Sequence, residues 1–170
     1  TGPVPLTPVQ HWFFEHHADA PHHFNTSMLL VTPPTVDEAA LAAAVAQLIA
    51  HHDALRLRFT LTDSGWQQTG AGLPDADAEA PFLQIELPDD AADAIETQAA
   101  AIQASFRLDG PLLRVAHFRL GAPDSPLPGR LLICLHHLVT DGVSWRVLIE
   151  DLIAGYEQAR RGLPIHLPPK

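Results

Sequence analysis

Residues Leu131 to Trp145, LLICLHHLVTDGVSW, constrain the fold of this chain more than any other stretch. The apolar run is too short for a membrane helix and reads as a buried strand. It ends in two adjacent histidines, His136 and His137. Asp141-Gly142 follows, and Trp145 opens a segment of helical spacing. A buried strand that hands titratable groups to a tight turn before a helix implies layered α/β structure. Such strand ends are where α/β proteins place their chemistry.

The remaining segments alternate in type. Thr7-Pro8-Val9-Gln10 predicts a helix start, with threonine as cap and proline at the first helical position, ending by Pro21. Phe24–Thr32 has strand composition and stops at Pro33-Pro34. Thr35 and Glu38 fit a capping box, followed by the apolar stripe Leu41, Val45, Leu48, Ile49 and His52. Leu55–Phe59 alternates as a half-buried strand with Arg56 and Arg58 on one face. Asp63-Ser64-Gly65 turns into a second arm at Trp66–Gln68. Gly70–Pro81 is a loop by composition and Phe82–Leu87 a short strand. Pro88-Asp89-Asp90 opens a helix with Ile95, Ala99, Ile102 and Phe106 on its apolar face. Leu112–Leu120 is a strand, and Gly121–Gly129 a loop. The last helix runs from about Ser144 to Arg161, with Trp145, Leu148, Leu152 and Tyr156 on one side and Gly162 as its stop. Pro164–Lys170 has linker composition. The expected class is therefore α/β, in the layered α+β sense, with helices packed on a mixed sheet.

The 170 residues suffice for one domain with a core, and 46% hydrophobic against 18% charged residues is a globular balance. The formal net charge of -10 argues against nucleic-acid binding, which needs a basic face. No apolar stretch reaches membrane-span length and no signal peptide opens the chain, so a cytoplasmic, non-membrane protein is expected. The single cysteine, Cys134, cannot form an internal disulfide.

Eleven histidines require metal binding to be weighed. Neighbouring strand residues face opposite sides, so His136 and His137 cannot both face one pocket. This argues against adjacent metal ligands and for a single histidine general base, suited by its near-neutral titration. Asp141 either orients a histidine, pairs with Arg56 or Arg58, or holds the turn together. Gly142 suits a backbone turn that a β-carbon would disfavour. His16-His17 and His22-His23 fit a solvated loop or a substrate-facing rim. His51-His52 sit at a helix C-terminus, where the dipole favours a cation, and are expected to be structural. Trp12, Phe13 and Phe14 fit core packing. No metal site is expected, and no phosphate loop, nucleophile elbow or Cys-x-x-Cys is present.

His136-His137-Leu-Val-Thr-Asp141-Gly142 matches the HHxxxDG motif and thereby resembles the condensation-domain superfamily of nonribosomal peptide synthetases, whose fold is chloramphenicol acetyltransferase-like. Leu6-Thr-Pro-Val-Gln10-His-Trp12-Phe13-Phe14-Glu15 resembles the opening motif of epimerization domains. His22-His23-Phe24-Asn25 is similar to the segment after it, and His52-Asp53-Ala-Leu55-Arg56-Leu-Arg58-Phe59 to the HExLRxxF motif. Gly142-Val143-Ser144-Trp145-Arg146 has the epimerization form. The resemblance implies that residues 1–170 are the N-terminal lobe of a two-lobed domain, with 163–170 starting the connector to a missing second lobe. It implies inversion of the α-carbon of an aminoacyl or peptidyl thioester carried on a carrier protein's phosphopantetheine arm, with no directly bound cofactor. His137 would be catalytic. His136, Asp141 and Gly142 would support the motif, Asp141 through an arginine ion pair. Ser144 and Trp145 would border the substrate channel. The partner acid/base, a glutamate, would come from the second lobe, so the isolated lobe is expected to be inactive and to expose a formerly covered face. Carrier docking would use a basic spot near Arg146, Arg160 and Arg161, or the missing lobe. The alternatives are a condensation-domain lobe forming a peptide bond, a non-catalytic carrier-binding module and a small trimeric acyl-CoA transferase.

Overall fold

The computed structural model describes residues 1–17, 19–74, 80–89, 91–122 and 124–169. In chain order the elements are β1 (Gly2–Val4), α1 (Pro8–His16), β2 (Asn25–Val31), α2 (Glu38–His51), β3 (Leu57–Thr62) and β4 (Gly65–Gly70). They continue with β5 (Phe82–Leu87), α3 (Ala92–Ala104), β6 (Leu113–Leu120), β7 (Arg130–His136) and α4 (Gly142–Arg160). A mixed sheet runs in the order β2-β7-β6-β5, and a small antiparallel sheet in the order β1-β4-β3. In the mixed sheet only β5 and β6 are parallel, and α3 lies between them in sequence as a parallel crossover requires.

The central strand explains the apolar run. Leu131, Ile133 and Leu135 pack with Leu41, Val45 and Leu48 of α2 and with Leu148 and Leu152 of α4. Their neighbours Leu132 and Cys134 turn to the other face, against Ile102 and Phe106 of the α3 layer. Helices thus cover both faces, and a strand so placed has no polar side. Cys134 is fully buried, and burial pushes its thiol up to about 12. A third cluster, Phe13, Phe14, Phe59, Leu108 and Leu112, joins α1 to the small sheet. Each such buried side chain contributes roughly 1.5–3 kcal/mol through removal from water.

Several local expectations shift. Thr7 caps α1 with a reciprocal Gln10 bond, as its sequence predicts. Thr35 does not cap α2. Asp37 does, accepting from the Ala40 amide at 2.9 Å. Glu38 instead reaches His117 Nδ1 at 2.9 Å. Leu55 and Arg56 belong to a 3-10 turn, Asp53–Arg56, and β3 begins only at Leu57. The cause is Arg56, whose Nη1 donates to the Ile49 and Ala50 carbonyls at 2.6 and 2.7 Å. Those are unpaired carbonyls at the end of α2, which attract a cation. Helix α3 starts at Ala92 without a side-chain cap, later than Pro88-Asp89 suggested. The Asp90 part of that expectation and the 75–79 part of the loop lie outside the described residues. Strand β1 carries no periodic signal, and its pairing with β4 is a tertiary event.

The linker-like segment after Gly162 is docked. Gln158 on α4 donates to the His166 carbonyl at 3.1 Å and accepts from its amide at 2.7 Å. Leu167 packs against the main core.

Candidate functional site

Strand β7 ends at His136, and the chain turns at once into a 3-10 turn, His137–Val139. That break places the two histidines in opposite environments, as alternation requires. His136 is fully buried. Its Nε2–H donates to the Pro21 carbonyl at 2.8 Å, and its Nδ1 accepts the Leu138 amide at 3.3 Å. Phe13, Phe24 and Phe106 surround the ring edge-on. Burial in this aromatic box pushes its pKa down to about 4, so it is a neutral anchor.

His137 is exposed. Its Nδ1 lies 3.0 Å from the Thr140 carbonyl, which can only accept, so Nδ1 carries the proton. The neutral ring therefore presents an unshared pair at Nε2, the form a general base needs. Phe24 fixes the plane, stacked on the imidazole at 5.0 Å and 20°. The His137 amide also donates to the Phe24 carbonyl at 2.8 Å, tying the turn to the start of β2. A face-on ring favours the imidazolium that proton abstraction would create. On the far side of Phe24 lies His17, stacked at 5.6 Å, and Trp12 stands half exposed beside it. Trp12 is thus a surface residue, while Phe13 and Phe14 are core as expected.

Asp141 does not pair with an arginine. Its Oδ1 accepts the Ser144 amide and the Ser144 hydroxyl, both at 2.7 Å, making it the N-cap of α4. Those two bonds hold its carboxyl below the usual carboxylate range. Arg56 is taken by Asp53 and the α2 carbonyls. Arg58 donates to the Leu57 carbonyl at 2.8 Å, and burial lowers its pKa against the opposing charge of Asp109. The competition is local: a capping carboxylate has its donors three residues away, whereas an arginine must be brought from β3. Gly142 also departs from expectation. It is the first residue of α4, its φ is not positive, and a β-carbon there would meet nothing within 4 Å.

Ser144, Asp141, Val143 and Val147 line a cleft of about 250 Å³ with His52 and Val139. His137 is not one of its walls. Trp145 is anchored to the sheet, its indole N–H donating to Thr26 Oγ1 at 3.2 Å while its ring packs on the core. The sequence missed Phe24, Pro21 and Thr140 as partners of the histidines. All three act through backbone carbonyls, which leave no residue-type signal, and Phe24 acts through its ring as well. Of the basic residues proposed for docking, Arg146 pairs with Glu150, and Arg160 and Arg161 both pair with Glu157. The described residues include no helix long and apolar enough to cross a membrane.

The condensation-domain family model matches residues 1–170. A linear gramicidin synthase from Brevibacillus parabrevis is 52% identical over 175 residues, covering 100% of this chain and 3% of that protein. The epimerization domain from the third module of tyrocidine synthetase B superposes with a TM-score of 0.88 at 37% identity, over 99% of this chain and 38% of that one. The first condensation domain of the calcium-dependent antibiotic synthetase reaches 0.78 at 24% identity, over 99% of this chain and 40% of the other, a likeness of fold alone. The chain spans well under half the length of each.

Proposed function

This chain belongs to the condensation-domain family, and on that footing we propose that it is the N-terminal lobe of an epimerization domain of a nonribosomal peptide synthetase. The substrate is an aminoacyl or peptidyl thioester on the phosphopantetheine arm of a carrier protein. His137 Nε2 removes the α-proton, which the thioester acidifies, leaving a planar enolate and an imidazolium stacked on Phe24. Inversion requires a proton delivered to the opposite face, and a second acid/base from the remaining lobe supplies it. The carrying observation is the geometry of His137, an exposed imidazole with Nδ1 held by Thr140 and Nε2 open. Epimerization is favoured over condensation by the likeness to the tyrocidine synthetase domain, with 37% identity against 24% for the condensation domain. Val143 and Val147, exposed at 74% and 43%, agree with a face that another lobe covers.

The test uses the full domain with L-aminoacyl carrier protein in deuterated water. The D-aminoacyl product with one deuteron at Cα, and no dipeptide, is the expected result. The His137→Gln variant should lose at least about a hundredfold in rate, the scale of a general base. Unchanged turnover in that variant would remove the catalytic role and leave a carrier-binding module. Membership of a family named for condensation favours a second reading, peptide-bond formation. Dipeptide formation with a second loaded carrier, without α-deuteration, would select it.

A further inference from the structure

Away from His137, the folded chain assembles a second group of chemistry-bearing side chains. His51 and His52 end α2, and Asp151 lies ninety-nine residues after His52, in the middle of α4. One ligand atom from each lies within 4.8 Å of the others. Asp151 is buried, only 6% exposed, and its Oδ2 sits 2.8 Å from His52 Nε2. The two imidazoles stand edge to face at 4.9 Å. Beside them opens a cleft of about 560 Å³, whose walls also include Asp53, Glu150 and Pro168.

We propose that His51, His52 and Asp151 form a binding site for a divalent transition metal of the zinc type, joining the end of α2 to α4. Two imidazoles and a carboxylate are the donors such ions prefer, and the open cleft leaves room for water in the remaining positions. The His52–Asp151 separation of 2.8 Å is that of a hydrogen bond, and it would open by about 0.6 Å to reach the ~3.4 Å between ligands of a tetrahedral ion with bonds near 2.1 Å. His51 closes the set by a side-chain rotation at the helix end. On binding, the metal replaces the proton at His52 Nε2, and the neutral ring carries its proton at Nδ1 instead. The ion would act as a clamp on the α2–α4 pair and stands independently of the chemistry at His137.

The decisive probe is zinc added to chelator-treated protein, followed by calorimetry and thermal unfolding, with cobalt as a spectroscopic stand-in. One zinc per site should bind, and cobalt should develop visible absorption typical of low coordination. At a zinc concentration about a hundred times Kd, Tm should rise by roughly 5–10 °C. His51→Ala removes a half-buried ligand and leaves the His52–Asp151 bond intact. It should keep the metal-free Tm and lose at least tenfold in zinc affinity together with the Tm gain. His16→Ala, at a histidine outside the cluster, should change neither. Asp151→Asn should also lose the site. If it does not fold, His51→Ala decides alone. Zinc binding by His51→Ala equal to the parent protein, or no saturable binding by the parent, overturns the proposal.

Discussion

At the scale of residues, two adjacent histidines of identical chemistry are made different by one peptide bond. His136 is fully buried among Phe13, Phe24 and Phe106, where a charge would lose its solvation. His137 emerges into solvent with one nitrogen already committed. The difference has a measurable sign. His136 is held at about 4 in the folded protein, against about 6.5 in an unfolded chain. The unfolded state therefore binds a proton that the folded state refuses between those values. The stability from keeping it neutral is complete above about pH 6.5 and is lost as pH falls towards 4, by about 3 kcal/mol. Urea unfolding from pH 7 to pH 4 should show this slope, and His136→Asn should flatten it relative to the parent. Parallel slopes would mean that other groups carry the acid sensitivity.

At the scale of elements, α4 begins where Asp141 caps it, and the same carboxylate defines the end of the histidine turn. A cap with two donors from Ser144 predicts specific behaviour. Asp141→Ala should lower the thermal midpoint by a few degrees, while Asp141→Asn, still an acceptor, should recover most of it. A double-mutant cycle should find coupling between Asp141 and Ser144 and none between Asp141 and Arg58. Coupling to Arg58 would restore the ion pair that the motif resemblance implied. The other end of α4 is closed by Gly162, whose φ of 70° lets the Leu163 amide reach back to the Gln158 carbonyl at 3.0 Å. This stop is legible in the sequence, because a glycine after a helical stripe has few other uses.

For the whole molecule, the organising contact is the crossing of α2 and α4 over one face of the mixed sheet. Gly155 lets the backbones approach there: a β-carbon at that position would meet Ala44 at 3.4 Å and Ile165 at 3.3 Å. The segment after Gly162 covers this crossing, with Ile165 and Leu167 in contact and His166 bonded to Gln158. Deleting residues 163–169 should therefore destabilise the protein by about 1–3 kcal/mol in urea unfolding, from the apolar surface returned to water. A true linker would cost nothing. The charges are likewise settled at this scale. Arg146, Arg160 and Arg161 suggest a basic spot along the sequence, yet each meets a glutamate on its own helix. Any docking of an acidic partner must then overcome or exchange those pairs.

The sequence by itself determined the alternation of strands and helices, the buried apolar strand β7, the opposition of His136 and His137, and the family motif that surrounds them. These follow from period, composition and local chain geometry, which act over a few residues. Only the tertiary structure decided which histidine is buried, because that depends on the Pro21 carbonyl and Phe106 arriving from elsewhere in the chain. It likewise assigned Asp141 to a cap, drew Arg56 back to the end of α2, and brought Asp151 to His51 and His52. Partners tens of residues apart leave no periodic trace, and backbone carbonyls leave no trace of residue type at all.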